Sequence, residues 1–286
     1  MDIVIAIGIL GGLGLIFGLV LSLAAKVFYV ETDPRLEKLN DALPGANCGG
    51  CGYAGCNAYA EAVLSGEAAI GLCASGGNES AATMADIMGV EVEAMERKVA
   101  LVRCSGYRRV NTDGKATGSK RKAEYEGFDD CLAASKVGGN GPIACKFGCL
   151  GFGNCVKACK YGAIKVLDGV AVVNRELCVG CMACANACPR KLITAVPYDK
   201  QVAIPCNSRA KGAVTVRGCT QGCISCGLCV KICPEEAITI DGNLAVIDYK
   251  KCTACGLCAT VCPRHLIVSK TELLEETNKG FVAKSV

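Results

Sequence analysis

The hydropathy pattern divides the chain before any chemistry is considered. From Ile3 to Ala25 there is no charged residue and a single Ser, a 23-residue apolar run long enough to cross a hydrocarbon core of roughly 30 Å as a helix. This predicts a membrane anchor over residues 1–28. A secretory signal would carry a basic leader and an apolar run of roughly 7–15 residues, whereas here Asp2 precedes a longer run. Lys26, Arg35 and Lys38 follow the run and no basic residue precedes it, which predicts a single-pass protein of the cell (inner, cytoplasmic) membrane with its body on the cytoplasmic face. Gly8 and Gly12, and Gly14 and Gly18, are spaced for close approach of another membrane helix. Beyond the anchor, Ala58, Tyr59, Ala62 and Val63 recur on a helical period within 57–66, and Ser75 to Met95 reads as one or two short connecting helices. Two pairs of β-prone runs, 163–166 with 171–173 and 237–240 with 245–247, are separated by Asp168-Gly169 and Asp241-Gly242-Asn243 turns. A charged tail, 271–286, is helix-prone around Glu272 to Glu276.

The chemistry lies in 24 cysteines. Cys178-x2-Cys181-x2-Cys184-x3-Cys188-Pro189 and Cys252-x2-Cys255-x2-Cys258-x3-Cys262-Pro263 reproduce the bacterial ferredoxin ligand run, and Cys223, Cys226, Cys229 and Cys233-Pro234 form a third copy. Three thiolates at this spacing wrap three corners of one cubane, while the fourth, just before proline, points to a neighbouring cluster. Structural zinc uses two independent Cys pairs instead. A disulfide framework has no reason to repeat a Cys-Pro pattern in a chain long enough to build a core. A different constellation, Cys48, Cys51 and Cys56 among glycines, with Cys73 after a short helical stretch, supplies four thiols for a further 4Fe-4S cluster.

Shifting Cys145, Cys149, Cys155, Cys159, Cys178, Cys181, Cys184 and Cys188 by 74 residues lands on Cys219, Cys223, Cys229, Cys233, Cys252, Cys255, Cys258 and Cys262. Each unit is therefore a dicluster ferredoxin-like repeat, too small to bury a core without its cubanes. The second unit pairs Cys223, Cys226, Cys229 and Cys262 on one cluster and Cys252, Cys255, Cys258 and Cys233 on the other. In the first, Phe152 stands where Cys226 does. Cys145 then completes Cys149, Cys155 and Cys188, beside a set of Cys178, Cys181, Cys184 and Cys159. That makes five clusters. Cys104, Cys131, Cys206 and Cys219 are left, the number a sixth needs; the alternatives are free buried thiols, or an exchange of roles in which Cys145 and Cys219 trade places with the others.

Composition changes the picture only slightly. The formal charge of +4 counts every thiol as neutral, whereas a cubane on four thiolates carries a charge of about −2. The loaded chain is acidic, so basicity gives no support for nucleic-acid binding. Arg103, Arg108, Arg109, Lys115, Lys120, Arg121 and Lys122 read as a solvated loop, with docking of an acidic carrier as the sharper alternative. His265 reads as an ordinary surface or packing residue, and no nucleotide-binding fingerprint is present. A regulatory iron-sulfur sensor is disfavoured, since it needs one cluster.

The anchor, the Asn47-Cys48-Gly49-Gly50-Cys51-Gly52-Tyr53-Ala54-Gly55-Cys56 box and the ferredoxin runs together resemble the B subunits of Rnf ion-translocating oxidoreductase complexes, over essentially the whole chain. The resemblance implies an electron-transfer subunit of a ferredoxin:NAD oxidoreductase that moves sodium ions or protons. Soluble ferredoxin would be the donor, and flavin and iron-sulfur subunits in and on the membrane the partners. The second ferredoxin unit exceeds the family's minimal form. An anchored carrier serving another membrane dehydrogenase or hydrogenase is the alternative. The expected architecture is α+β: the anchor (1–28), a small helical cluster module (29–77), a connecting segment (78–130), two ferredoxin-like units (131–196 and 197–270) and the tail (271–286).

Overall fold

The computed structural model describes residues 2–27, 33–92, 96–106, 109–110 and 116–269. The charged tail and the basic residues Arg108 and Lys115 lie outside the described residues. Helix α1 covers Asp2–Val27, 26 residues. Among the described residues no helix is long and apolar enough to cross a membrane; within α1 the described side chains run unbroken only from Leu10 to Ala24. Its large apolar side chains, Leu10, Leu15 and Leu21 among them, are exposed.

Three helices build the first cluster module: α2 (Pro34–Asp41), α3 (Cys56–Leu64) and α4 (Gly77–Met88). Asp33 caps α2 by accepting from the Arg35 N–H at 2.9 Å, with Pro34 in the first turn where its missing N–H costs nothing. The buried core is Leu39, Leu43, Tyr59, Val63 and Met84. Met84 lies on α4, so this module extends past residue 77 into the segment read from sequence as a connector.

The remainder is two versions of one plan. The first unit begins earlier than 131, because β1 (Lys98–Val102) pairs antiparallel with β6 (Ile193–Pro197) and buries Val99, Ala100 and Val102 in the unit's core. Strands β2 (Arg109–Val110) and β3 (Ala116–Thr117) pair with each other, and α5 (Cys131–Lys136) follows. Helix α6 (Asn154–Lys157), the hairpin β4 (Ile164–Leu167) and β5 (Val170–Val173), and α7 (Ala183–Asn186) complete the unit. The second unit has α8 (Gly212–Gly218), α9 (Leu228–Ile232), the hairpin β7 (Ile238–Asp241) and β8 (Leu244–Ile247), and α10 (Leu257–Thr260). Both hairpins turn on two residues of positive φ, Asp168 and Gly169 (48° and 76°) and Gly242 and Asn243 (51° and 66°), the geometry that matches strand twist. Where the first unit has the β1–β6 ladder, the second has a single bridge, Ala203 to Val268.

The segment 118–121 ties the units together. Ser119 bridges Cys219 and Arg121 bridges Ile143. The Lys120 N–H donates to Gly218 O at 2.8 Å, while Lys120 O accepts from the Ala144 N–H at 2.7 Å.

Candidate iron-sulfur centres

Each cysteine run is shaped by its backbone. In three of them the residues flanking the second cysteine have positive φ: Gly180 and Met182, Ser225 and Gly227, Ala254 and Gly256. The fourth keeps this form around Phe152, through Gly151 and Gly153. Such left-handed turns aim successive N–H groups to one side, forming the anion-binding nests found at iron-sulfur sites. The donor sets therefore fit a 4Fe-4S group on two counts, soft thiols and a backbone cradle for negative charge. Among the described residues no three His, Cys, Asp or Glu converge on a single metal-ion position. Cubane thiolates each hold a separate iron at a separate corner, so their spacing is wider than one zinc requires.

The thiols gather around distinct cavities. Cys48, Cys51, Cys56 and Cys73 line one, floored by Tyr59. The Tyr59 hydroxyl donates to Ala69 O at 3.0 Å and accepts from the Leu72 N–H at 3.1 Å, holding the loop that carries Cys73. Cys223, Cys226, Cys229 and Cys262 line another. Burial raises the pKa of Cys184, and Cys178, Cys155, Cys181 and Cys159 add to it; burial raises Cys258 likewise, with Cys229, Cys252 and Cys255 adding to it, so in each unit the thiols of the two expected quartets lie close to one another. Cys233 sits at the C-cap of α9, which packs on α10.

Two assignments differ from the expectation. The cavity of Cys149, Cys155 and Cys188 is completed by Cys131 and not by Cys145. Asp130 caps α5 through the Ala133 N–H (2.7 Å) and accepts from Asn154 Nδ2 (2.6 Å), while Asn154 Oδ1 accepts from the Cys131 N–H (2.7 Å). This network docks an inserted helix over the gap left by Phe152, which packs against Tyr125 with ring centroids 5.0 Å apart. Cys145 lines a different cavity, with Cys104, Cys206 and Cys219. Cys131 and Cys145 thus exchange the places that spacing had given them. The local signal was the match of Val102-Arg103-Cys104-Ser105 with Ile204-Pro205-Cys206-Asn207, hidden because its offset is not that of the main repeat.

Several residues that spacing did not single out bear on these sites. Arg190 and Arg264 each follow a Cys-Pro pair; Arg190 donates to Cys145 O at 3.2 Å and Arg264 to Cys219 O at 2.8 Å. Lys160 Nζ donates to Ala46 O at 2.6 Å, joining the first ferredoxin unit to the helical module. The Tyr161 hydroxyl is buried without a hydrogen-bond partner of good geometry; burial raises its pKa, and the neighbours acting on it are the Ser75 hydroxyl, which also contacts the Cys48 sulfur, and Cys48, Cys181 and Cys73. An orphaned donor between two thiol sets fits a sulfur acceptor there. Of the basic run, Arg103 Nε reaches Cys206 O and Lys122 Nζ reaches Gly139 O. His265 is exposed.

Burial pushes Cys149 and Cys184 up to about 12, and Cys155, Cys206, Cys229 and Cys258 up to about 11. Desolvation is the leading cause in each, with neighbouring thiols adding to it. These sulfurs become thiolates only when positive charge offsets the burial, as iron does. Cys48 is instead held below its ordinary value: burial acts upward, but hydrogen bonds from Ser75 and the Gly50 backbone outweigh it.

Comparison with known proteins places iron-sulfur family models on three stretches of the chain. A family model described as "Putative Fe-S cluster" matches residues 43–75, a "4Fe-4S binding domain" model 171–194 and a "4Fe-4S dicluster domain" model 222–266. The chain is 43% identical over 250 residues to the B subunit of the Na(+)-translocating ferredoxin:NAD(+) oxidoreductase complex of Acetobacterium woodii, covering 87% of this chain and 72% of that one. It is 39% identical to the B subunit of the Proton-translocating ferredoxin:NAD(+) oxidoreductase complex of Clostridium ljungdahlii, over 82% of this chain and 81% of that one. The B subunit of the Ion-translocating oxidoreductase complex of Methanosarcina acetivorans is also 39% identical, with 86% and 90% covered. With identity at this level over most of both partners, the chain belongs to the family of B subunits of ion-translocating oxidoreductase complexes.

Proposed function

We propose that this chain is the electron-receiving subunit of a membrane complex that oxidises reduced ferredoxin, delivers the electrons to NAD through flavin and iron-sulfur subunits, and couples the drop in free energy to movement of Na+ or H+. Helix α1, uncharged between Asp2 and Lys26, is its single-pass anchor, and the basic flank at Lys26, Arg35 and Lys38 puts the body on the cytoplasmic side. No acidic residue lies inside that span, so the ion moves through other subunits. Five 4Fe-4S groups, when bound, supply one-electron carriage. They are held by Cys48, Cys51, Cys56 and Cys73; by Cys131, Cys149, Cys155 and Cys188; by Cys178, Cys181, Cys184 and Cys159; and by the two quartets of the second unit.

The observation that carries this reading is the contact between the helical module and the first ferredoxin unit. Gly50, between two thiols of one quartet, abuts the backbone of Cys181, a thiol of another. The chain's residues thus bring the anchor-proximal quartet against the ferredoxin-like units, so that electrons accepted far from the anchor leave beside the membrane. The test is stopped-flow reduction of the complex by ferredoxin, with Cys51→Ser as the variant. Clusters of the ferredoxin units should still be reduced while transfer to the membrane subunits stops. Onward transfer that survives would reverse the proposed order, and failure of ferredoxin to reduce the intact complex would point to a different donor.

A further inference from the structure

The two ferredoxin-like units meet around a cavity lined by four thiols. The cavity between the units is lined by Cys104 and Cys145 from the first unit and Cys206 and Cys219 from the second. Their settings correspond pair by pair. The Cys104 sulfur accepts from the Gly106 N–H (3.3 Å) and from the Cys149 N–H (3.2 Å); the Cys206 sulfur accepts from the Ser208 N–H (3.4 Å) and from the Cys223 N–H (3.5 Å). Cys149 and Cys223 are equivalent positions of the repeat, as are Cys145 and Cys219. Each member of that second pair has its carbonyl held by the arginine after its unit's Cys-Pro. The same linking segment reaches both: Ser119 Oγ accepts from the Cys145 N–H at 3.1 Å and Ser119 bridges Cys219.

Two features make this a built site and not four stray thiols. First, four backbone N–H groups are directed at Cys104 and Cys206, the arrangement that stabilises anionic sulfur. Second, the cavity takes two thiols from each unit, together the four that the four irons of a cubane require. Every one of these cysteines is a free thiol, and no His or carboxylate lines the cavity among the described residues, which suits iron-sulfur ligation over harder metals.

We propose that Cys104, Cys145, Cys206 and Cys219 hold a sixth 4Fe-4S cluster in the cavity where the two ferredoxin-like units meet, and that this cluster is the electron bridge between them. On one side its ligand Cys104 is one hydrogen bond from Cys149, a thiol of the first unit's site; on the other, Cys206 is one hydrogen bond from Cys223 in the second unit's site. Each passage moves one electron from unit to bridge to unit, with no bond made or broken. The metal site stands on the geometry alone, while the bridging role rests on the electron-transfer function proposed above.

Iron and acid-labile sulfide per polypeptide, measured on anaerobically purified full-length protein, separate the two. The intact chain should hold about 24 iron atoms, and Cys104→Ser/Cys206→Ser about 20. Adding Cys145→Ser should remove no more, because it belongs to the same site, whereas adding Cys131→Ser should remove about four more. The reverse pattern, or an intact chain with about 20 iron atoms that Cys104→Ser/Cys206→Ser leaves unchanged, overturns the site. If the double variant loses more than one cluster's iron, the single Cys219→Ser decides: about 20 supports the site and about 24 overturns it. In Cys104→Ser/Cys206→Ser the rate at which electrons placed on the second unit reach the Cys48 to Cys73 quartet should fall at least tenfold. An unchanged rate overturns the bridge while leaving the site, and neither result depends on which protein is the donor.

Discussion

Replacing Gly50 by Ala tests whether the helical module and the first ferredoxin unit are held together as described. A methyl built on Gly50 would lie 2.6 Å from Cys181 O, 3.2 Å from its Cα and 3.3 Å from its carbonyl carbon. A comfortable carbon-to-oxygen contact is about 3.3–3.6 Å, so the two loops must part by about 0.7–1 Å. The opposing atoms are backbone and cannot swing aside. Gly50 does not have positive φ, so strain of its own conformation does not enter and the effect is steric. Overpacking of this kind costs about 1–3 kcal/mol, less the ~0.4–1 kcal/mol that Gly→Ala recovers from the unfolded chain. Gly138→Ala is the control, since nothing lies within 4 Å of its added methyl and its φ is not positive; there the substitution should be neutral or slightly stabilising. Anaerobic urea unfolding followed by cluster absorbance reads the stability. The rate of electron arrival at the Cys48 to Cys73 quartet reads the separation and should fall in Gly50→Ala alone. A Gly50→Ala protein as stable as Gly138→Ala, with unchanged transfer, would refute the contact.

Four further substitutions follow from the sites. Arg190→Ala removes donors to Cys145 O and Gly148 O, bonds from a charged group worth about 1.5–3 kcal/mol each; it should destabilise the first unit by at least ~2 kcal/mol, measured by thermal unfolding, and Arg264→Ala should act likewise on the second. Asp130→Ala removes the α5 cap and the anchor for Asn154, so iron should be lost selectively from the Cys131 site. Because hydrogen bonds from the Ala133 backbone and the Asn154 side chain hold the Asp130 pKa below its ordinary value, its contribution is present above the ordinary carboxylate pKa and lost as pH falls through the lowered one; iron retention in the wild type should fall there, and in Asp130→Ala that step should vanish. Tyr161→Phe deletes the buried hydroxyl beside Ser75, Cys48, Cys181 and Cys73; where that hydroxyl donates to sulfur, the midpoint potential of a neighbouring cluster should drop by roughly tens of mV in a redox titration, whereas no shift would assign its bond to Ser75.

The sequence exposed what depends on local spacing and obscured what depends on three-dimensional juxtaposition. The Cys-x2-Cys-x2-Cys runs, the Asp168-Gly169 and Gly242-Asn243 turns and the helical period at Tyr59 are local, and each was readable from neighbouring residues. The swap of Cys131 and Cys145 was open only as an alternative, because choosing it turns on a hydrogen bond from the Cys131 backbone to Asn154, 23 residues away. Strand β1 was missed for a related reason. Lys98-Val99-Ala100-Leu101-Val102 is a short apolar run without hairpin punctuation, and its partner, Ile193–Pro197, lies on the far side of the whole unit. The module boundary at 77 failed because Met84 is recognisable as core only when α4 is seen packed on α2.

The elements around the cysteines are too small to explain their own stability. Helices α6, α7 and α10 have four residues each, far below the length at which a helix persists alone, and each hairpin pairs strands of four residues, marginal by itself. The cores are made in part of sulfur: Cys149, Cys155, Cys178 and Cys184 are counted among the buried residues of the first unit, and Cys206, Cys223, Cys229 and Cys258 among those of the second. Those same thiols are the ones whose burial opposes ionisation most strongly where a value is resolved, at Cys149, Cys155, Cys184, Cys206, Cys229 and Cys258. A core that resists thiolate until iron arrives, built from elements that cannot stand without it, makes cluster insertion and folding a single coupled event. The 74-residue repeat then has a structural consequence beyond duplication. Two units built alike around their thiols present matching cysteines, Cys145 and Cys219, at the surface where they meet, and the proposed sixth cluster would complete that meeting with metal.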